Sequence, residues 1–225
     1  MKNRRNRRKS AGTMRFFYFL FIFEIFYIEV IINYMDKHIK RNGGVESMKL
    51  EKGLVQVYMG NGKGKTTAAL GQGLRSCGRG LKVCMVQFLK GGDTGELHSV
   101  EKLYPLFEIF RFEKERGFFW TLSEHEKREL KEDIDKGFEF IKKVVQENLC
   151  DVLIIDELLG VLENKLLEVN DVLELLKSKP VNMEIIITGR KAPKEIIDAA
   201  DLVTEMKEIK HYFSSGIPAR EGIES

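Results

Sequence analysis

The chain has 225 residues, 43% apolar and 32% charged, which excludes a disordered polyelectrolyte and a collagen-like repeat. The formal charge of +3 is unevenly placed: residues 1–47 carry ten Lys or Arg against four acids, and the remainder carries 27 against 30. A mildly acidic body argues against a nucleic-acid partner, and the length fits one α/β domain with its own core.

The basic flank of residues 2–15 precedes an apolar stretch at Phe16–Ile32, which Glu24 and Glu29 interrupt. Each acid costs about 2–3 kcal/mol at mid-membrane depth. Three readings stay open for this leader. It lies outside a working protein that starts at Met48, or it packs on the body or a partner subunit, or it anchors the chain to a membrane. Gly43 and Gly44 mark the joint, so the expected division is a leader at 1–47 and a domain at 48–225.

Leu54–Met59 is short and rich in β-branched and aromatic residues, which predicts a buried strand. Gly60–Gly64 breaks it, and Lys65–Cys77 reads as a helix ended by Gly78 and Gly80. Leu81–Phe88 is a second strand, followed by a polar, glycine-marked loop over Phe88–Glu96. Ile109–Phe112 reads as a short strand. Ser123 and Glu126 match a capping box opening a long helix over Glu124–Asn148, with Gly137 a weak point at its middle. Asp151–Ile155 is a third strand, Glu168–Leu176 a helix, and Glu184–Thr188 a fourth strand. Pro193 suits the first turn of a short helix reaching Ala199, and Leu202–Met206 reads as a last strand. Short apolar strands alternating with amphipathic helices imply a three-layer α/β fold around a mostly parallel sheet.

Cys77, Cys84 and Cys150 form no CxxC pair, and their odd number excludes a complete internal disulfide set. Reduced, buried thiols fit a cytoplasmic protein.

The sharpest local signal is Gly60-Asn61-Gly62-Lys63-Gly64-Lys65-Thr66-Thr67, between a strand and a helix. Glycines there let the backbone curl with its N–H groups inward, toward phosphate oxygens at a helix N-terminus. Lys65 offers a charge to the polyphosphate, and Thr66 a hydroxyl to a divalent cation. Against the strict GxxxxGK[ST] pattern, Met59 stands at the first glycine. Asp156-Glu157 follows four apolar strand residues, which puts both carboxylates at the carboxyl edge of the sheet, where ligands bind in open α/β folds. Carboxylate oxygens suit magnesium. On these two motifs alone, a P-loop ATPase or small-molecule kinase is a serious alternative.

The remaining strings narrow the reading. From about Leu54 to Glu224 the sequence resembles the P-loop corrinoid adenosyltransferases. The resemblance rests on YMGNGKGKTTAALG from Tyr58, QFLKG from Gln87, Ile155-Asp156-Glu157, Thr188-Gly189-Arg190, ADLVTEM from Ala200 followed by Lys210-His211, and Gly222-Ile223-Glu224. It implies transfer of the 5′-deoxyadenosyl group of ATP to a reduced Co(I) corrinoid, with release of tripolyphosphate. By resemblance, Gly60 to Thr67 cradle the triphosphate, and Lys65, Thr66 and Glu157 are the catalytic residues. Thr66, Glu157 and Asp156 face Mg2+ or Mn2+, and Gln87, Lys90 and Arg190 also face the crevice. A homodimer and a Co(II)-reducing system are the implied partners, and the only route to a membrane is the leader. The stretch from Phe107 to Trp120, with Phe118, Phe119 and Trp120, suits an apolar macrocycle, the core or a dimer contact.

Overall fold

The computed structural model describes residues 49–224. The leader readings lie outside the described residues. Six strands form one sheet: β1 (Val55–Met59), β2 (Val83–Gln87), β3 (Phe107–Phe110), β4 (Val152–Asp156), β5 (Glu184–Thr188) and β6 (Leu202–Glu205). Their spatial order is β3-β2-β4-β5-β1-β6, and every pairing is parallel. β2 and β4 are buried at every position, as strands covered on both faces must be.

The helices are α1 (Lys65–Cys77), α2 (Gly95–Glu101), α3 (Glu124–Gln146), α4 (Leu158–Glu163), α5 (Val169–Lys177) and α6 (Lys194–Ala199). Side chains alternate across a strand, so Phe107 and Phe110 point to opposite faces of β3. Phe107 lies under Gly73 of α1, and Phe110 packs its ring 4.8 Å from that of Phe140 of α3. Helices therefore cover both faces. The core beneath α1 gathers Ala69, Val83, Met85, Phe107, Ile154 and Ile186.

The capping box forms as the sequence predicts: the Ser123 hydroxyl accepts from the Glu126 amide, and the Glu126 carboxylate accepts from the Ser123 amide. Other expectations shift. β3 starts two residues before the predicted strand, and pairing with β2 from Val83↔Phe107 onward sets that register. The predicted loop over Phe88–Glu96 is real only to Thr94, and α2 begins at Gly95. Helix α4, immediately after Glu157, lies in a stretch to which the sequence reading gave no element. Pro193 sits one residue before α6 rather than in its first turn. All three cysteines are free and buried. Among the described residues, no helix is long and apolar enough to cross a membrane.

Candidate active site

Four chain segments line a cleft at the carboxyl edge of the sheet. The loop after β1 is pinned from behind. The amide of Gly60 donates to the Arg190 carbonyl and that of Gly62 to the Met206 carbonyl, each at 2.8 Å. The Asn61 side chain accepts from the Glu208 amide. Gly60 has φ 116°, and a Cβ there would collide with the Met206 carbonyl, so this position requires glycine. The amides of Gly60 and Gly62 thus anchor the loop, and its exposed limb is Lys63 to Thr67. Gly64, with φ 117°, turns the chain into α1, which has no side-chain cap. The amides of its first turn lack intrahelical acceptors and carry the positive end of the helix dipole.

A cleft of about 360 Å³ opens over that helix end. Lys63, Gly64, Lys65, Thr66 and Thr67 line one side, Lys90 and Glu96 another, and Glu157 and the tail residues Gly222 to Glu224 complete it. Lys65 Nζ donates to the Gly62 carbonyl at 2.9 Å, and burial lowers its pKa against the raising influence of Glu157. Lys63 Nζ donates to the Ile223 carbonyl at 3.0 Å.

Asp156, at the end of β4, has no exposed surface and is the hub. Its Oδ1 accepts from Thr66 Oγ1 at 2.9 Å and Thr188 Oγ1 at 2.6 Å. Its Oδ2 accepts from Gln87 Nε2 at 3.1 Å and pairs with Lys90 Nζ at 3.0 Å. Each oxygen therefore meets two donors, a full complement for a carboxylate. Glu157 differs. It holds a left-handed φ of 59°, its amide donates to Thr188 Oγ1, and its side chain lines the cleft. Burial and the neighbouring Asp156 charge raise its pKa.

The structure thus brings Lys65, Thr66, Thr67, Lys90, Asp156 and Glu157 together. Gln87 is fully buried and reaches the cleft only through Asp156 and Glu96, to which its amide donates. Arg190 is exposed. Its carbonyl holds Gly60, and its charge adds to the effect of burial in lowering the Lys65 pKa and partly offsets the burial-driven rise at Glu157. Three residues here escaped the sequence reading: Thr188, which ties Asp156 to Glu157; Glu96, which takes the Gln87 amide; and Arg111, whose guanidinium binds Gln87 Oε1 at 2.8 and 2.7 Å. Only Thr188 carried a signal, as the first residue of its glycine-arginine string.

Lysines, a bare helix N-terminus and a carboxylate on one cleft at the edge of a parallel sheet define an α/β enzyme that takes a polyanionic substrate. The family model for ATP:corrinoid adenosyltransferase BtuR/CobO/CobP matches residues 51–225. A corrinoid adenosyltransferase of Pseudomonas aeruginosa is 38% identical over 179 residues, covering 77% of this chain and 84% of its own. One from Escherichia coli K12 is 33% identical over 180 residues, covering 77% and 86%. Corrinoid adenosyltransferase CobA of Salmonella typhimurium is 35% identical over 176 residues, with the same coverage of 77% and 86%. The chain belongs to the ATP:corrinoid adenosyltransferase family, and its activity is the ATP-dependent adenosylation of a corrinoid.

Proposed function

We propose that the chain joins C5′ of ATP to the Co(I) centre of a reduced corrinoid and releases tripolyphosphate. The substrate cobalt supplies the electron pair of the new Co–C bond. The C5′–O bond breaks, its pair leaves with the triphosphate, and the cobalt ends formally as Co(III). Because the nucleophile arrives with the substrate, the protein needs no Ser/His/Asp triad. Its work is to align the two substrates and to meet the charge that develops on the leaving triphosphate. The observation that carries this reading is the convergence of Lys65, Thr66 and Glu157 on one cleft at the N-terminus of α1.

In this reading Gly60–Thr67 acts as a P-loop. Gly60, Asn61 and Gly62 hold its shape, and Lys63, Gly64, Lys65, Thr66 and Thr67 face the triphosphate. Lys65 exchanges the Gly62 carbonyl for phosphate oxygens. Lys90 adds a second charge from the opposite wall, and Arg190 a third from outside it. Thr66 and Glu157 hold Mg2+ or Mn2+. They would fit it because both present hard oxygens to the cleft, and the Thr66 hydroxyl donates its hydrogen bond to Asp156, which leaves its lone pairs for a cation. When bound, the cation supplies charge neutralisation for the triphosphate. Asp156 serves from behind, since its four contacts already fill it. Gln87 keeps Asp156 in place. Phe118 and Trp120, stacked with centroids 4.8 Å apart and 69% and 75% exposed, offer the corrinoid a flat apolar face.

Residues 48–225 form the working domain, a cytoplasmic homodimer supplied with Co(I) by a separate reducing system. The test uses the full chain under anaerobic conditions with ATP, Mg2+ and chemically reduced cob(I)inamide or cob(I)alamin. The expected products are a light-sensitive adenosylcorrinoid and an equimolar amount of tripolyphosphate. Release of ADP and phosphate without corrinoid, and no Co–C bond, would reassign the chain as an ATPase.

A further inference from the structure

Strand β3 ends at Phe110, and the next six residues run alongside the loop that carries Lys90. Arg111 is the main tie between them. Its side chain is 12% exposed and meets four acceptors. Nε and Nη2 both donate to Gln87 Oε1, Nη1 donates to the Gly92 carbonyl at 2.5 Å, and Nη2 also donates to Thr94 Oγ1 at 2.7 Å. Glu96 Oε1 lies 3.4 Å away and adds a counter-charge. Arg111 does not line the cleft, but everything it holds leads there. Gln87 turns its amide nitrogen to Asp156 and Glu96 because its oxygen is taken by Arg111. Gly92 and Thr94 bracket the far limb of the loop, and Glu113 Oε1 accepts from the Leu89 amide on the near limb. Between these ties stands Lys90, 3.0 Å from Asp156 and 3.5 Å from Glu96.

Leu89 shows why the ties are needed. It holds φ 56°, a left-handed conformation that a branched side chain resists, so the loop does not keep this shape unaided. A lysine at position 111 has no planar fork and cannot span Gln87, Gly92 and Thr94 together.

We infer that Arg111 is a positioning residue for adenosyl transfer: it locks Gln87 and the 88–94 loop into one unit and thereby sets Lys90 at the cleft. This rests on the proposed function. Its test is a double-mutant cycle in the full chain with Arg111→Met and Lys90→Met, read as kcat/KM for transfer and as ATP affinity by calorimetry. Arg111→Met should retain the far-UV spectrum and a cooperative melt, yet lower kcat/KM by about 10- to 100-fold. Arg111→Lys should recover only a minor part of that loss. In the Arg111→Met background, Lys90→Met should cost less than about threefold, because an unplaced lysine has little left to lose. Additive effects within about twofold in folded proteins, or full rescue by lysine, overturn the inference. If Arg111→Met does not fold, Thr94→Val removes one of the same acceptors and takes its place in the cycle, with the same two readings of the result. A wild-type chain that binds ATP and transfers nothing counts against the functional reading instead, and the binding cycle still decides the role of Arg111.

Discussion

Glu113 is half-buried, and its carboxylate accepts a hydrogen bond from the Leu89 amide. Burial, aided by the Asp133 charge and opposed by that bond and by Arg116, pushes its carboxyl up to about 7. The folded chain therefore keeps a proton that the unfolded chain has already released. The contribution to stability is whole below the ordinary carboxylate pKa and is lost as pH rises from 4.5 to about 7. The loss is about 3–4 kcal/mol at roughly 1.4 kcal/mol per pH unit. Glu113→Gln carries no such proton, so its urea midpoint should fall less than that of the wild type between pH 5 and pH 8. Parallel declines in the two proteins would show that Glu113 does not titrate in this window. Contacts of this kind explain which part of the site was legible. Gly60 to Thr67 and Asp156-Glu157 are contiguous, and their chemistry shows in their order. Glu113, Arg111 and Glu96 reach partners 9 to 24 residues away, across a strand or a loop, and no local pattern marks them.

At the scale of elements, propensity and packing oppose each other at Gly137. Propensity alone says that Gly137→Ala strengthens α3 by about 1 kcal/mol. The structure says otherwise. An added Cβ would lie 2.7 Å from Phe88 Cε1 and 3.2 Å from Phe112 Cδ2, and Phe88 is 1% exposed, with no room to retreat. Overpacking of this kind costs about 1–3 kcal/mol and outweighs the propensity gain. Gly137→Ala should lower the melting temperature, and a rise would mean that α3 can slide off the sheet. The glycine that reads as a weak point in the sequence is where the helix backbone packs against Phe88, one residue beyond β2. The same limit applies to the elements the sequence misplaced. α2 and α4 have seven and six residues, too few turns for an apolar stripe to show, and α4 starts from a left-handed Glu157 that no residue preference announces. The start of β3 is set by its pairing with β2, a tertiary fact. The long, capped α3 and β4, with four apolar residues before Asp156, needed no such help.

Across the whole molecule, the sheet order separates β1 from β4 by β5, so the Gly60–Thr67 loop and the two acids do not sit on neighbouring strands. Thr188 at the end of β5 closes that gap. Its hydroxyl donates to Asp156 at 2.6 Å and accepts from the Glu157 amide at 2.9 Å, while Thr66 on α1 reaches the same Asp156 oxygen. Four elements are thereby locked to one carboxylate: α1 through Thr66, β2 through Gln87, β4 through Asp156 itself and β5 through Thr188. Thr188→Val keeps the shape of the side chain and removes only the hydroxyl. It strips one donor from a buried carboxylate and leaves a backbone amide without its acceptor, at a cost of about 2–3 kcal/mol. Transfer activity should fall at least tenfold in the protein that still folds, because Asp156 then no longer holds Thr66 and Glu157 in a fixed relation. Thr188→Ser restores the hydroxyl with a small loss of packing, so it should recover most of the activity and lose less than about 1.5 kcal/mol. Chemical denaturation and steady-state transfer on the two variants separate the cases. Equal losses in Val and Ser would make Thr188 a packing residue, whereas activity that follows the hydroxyl makes it the link that lets one sheet assemble the site from strands that do not touch.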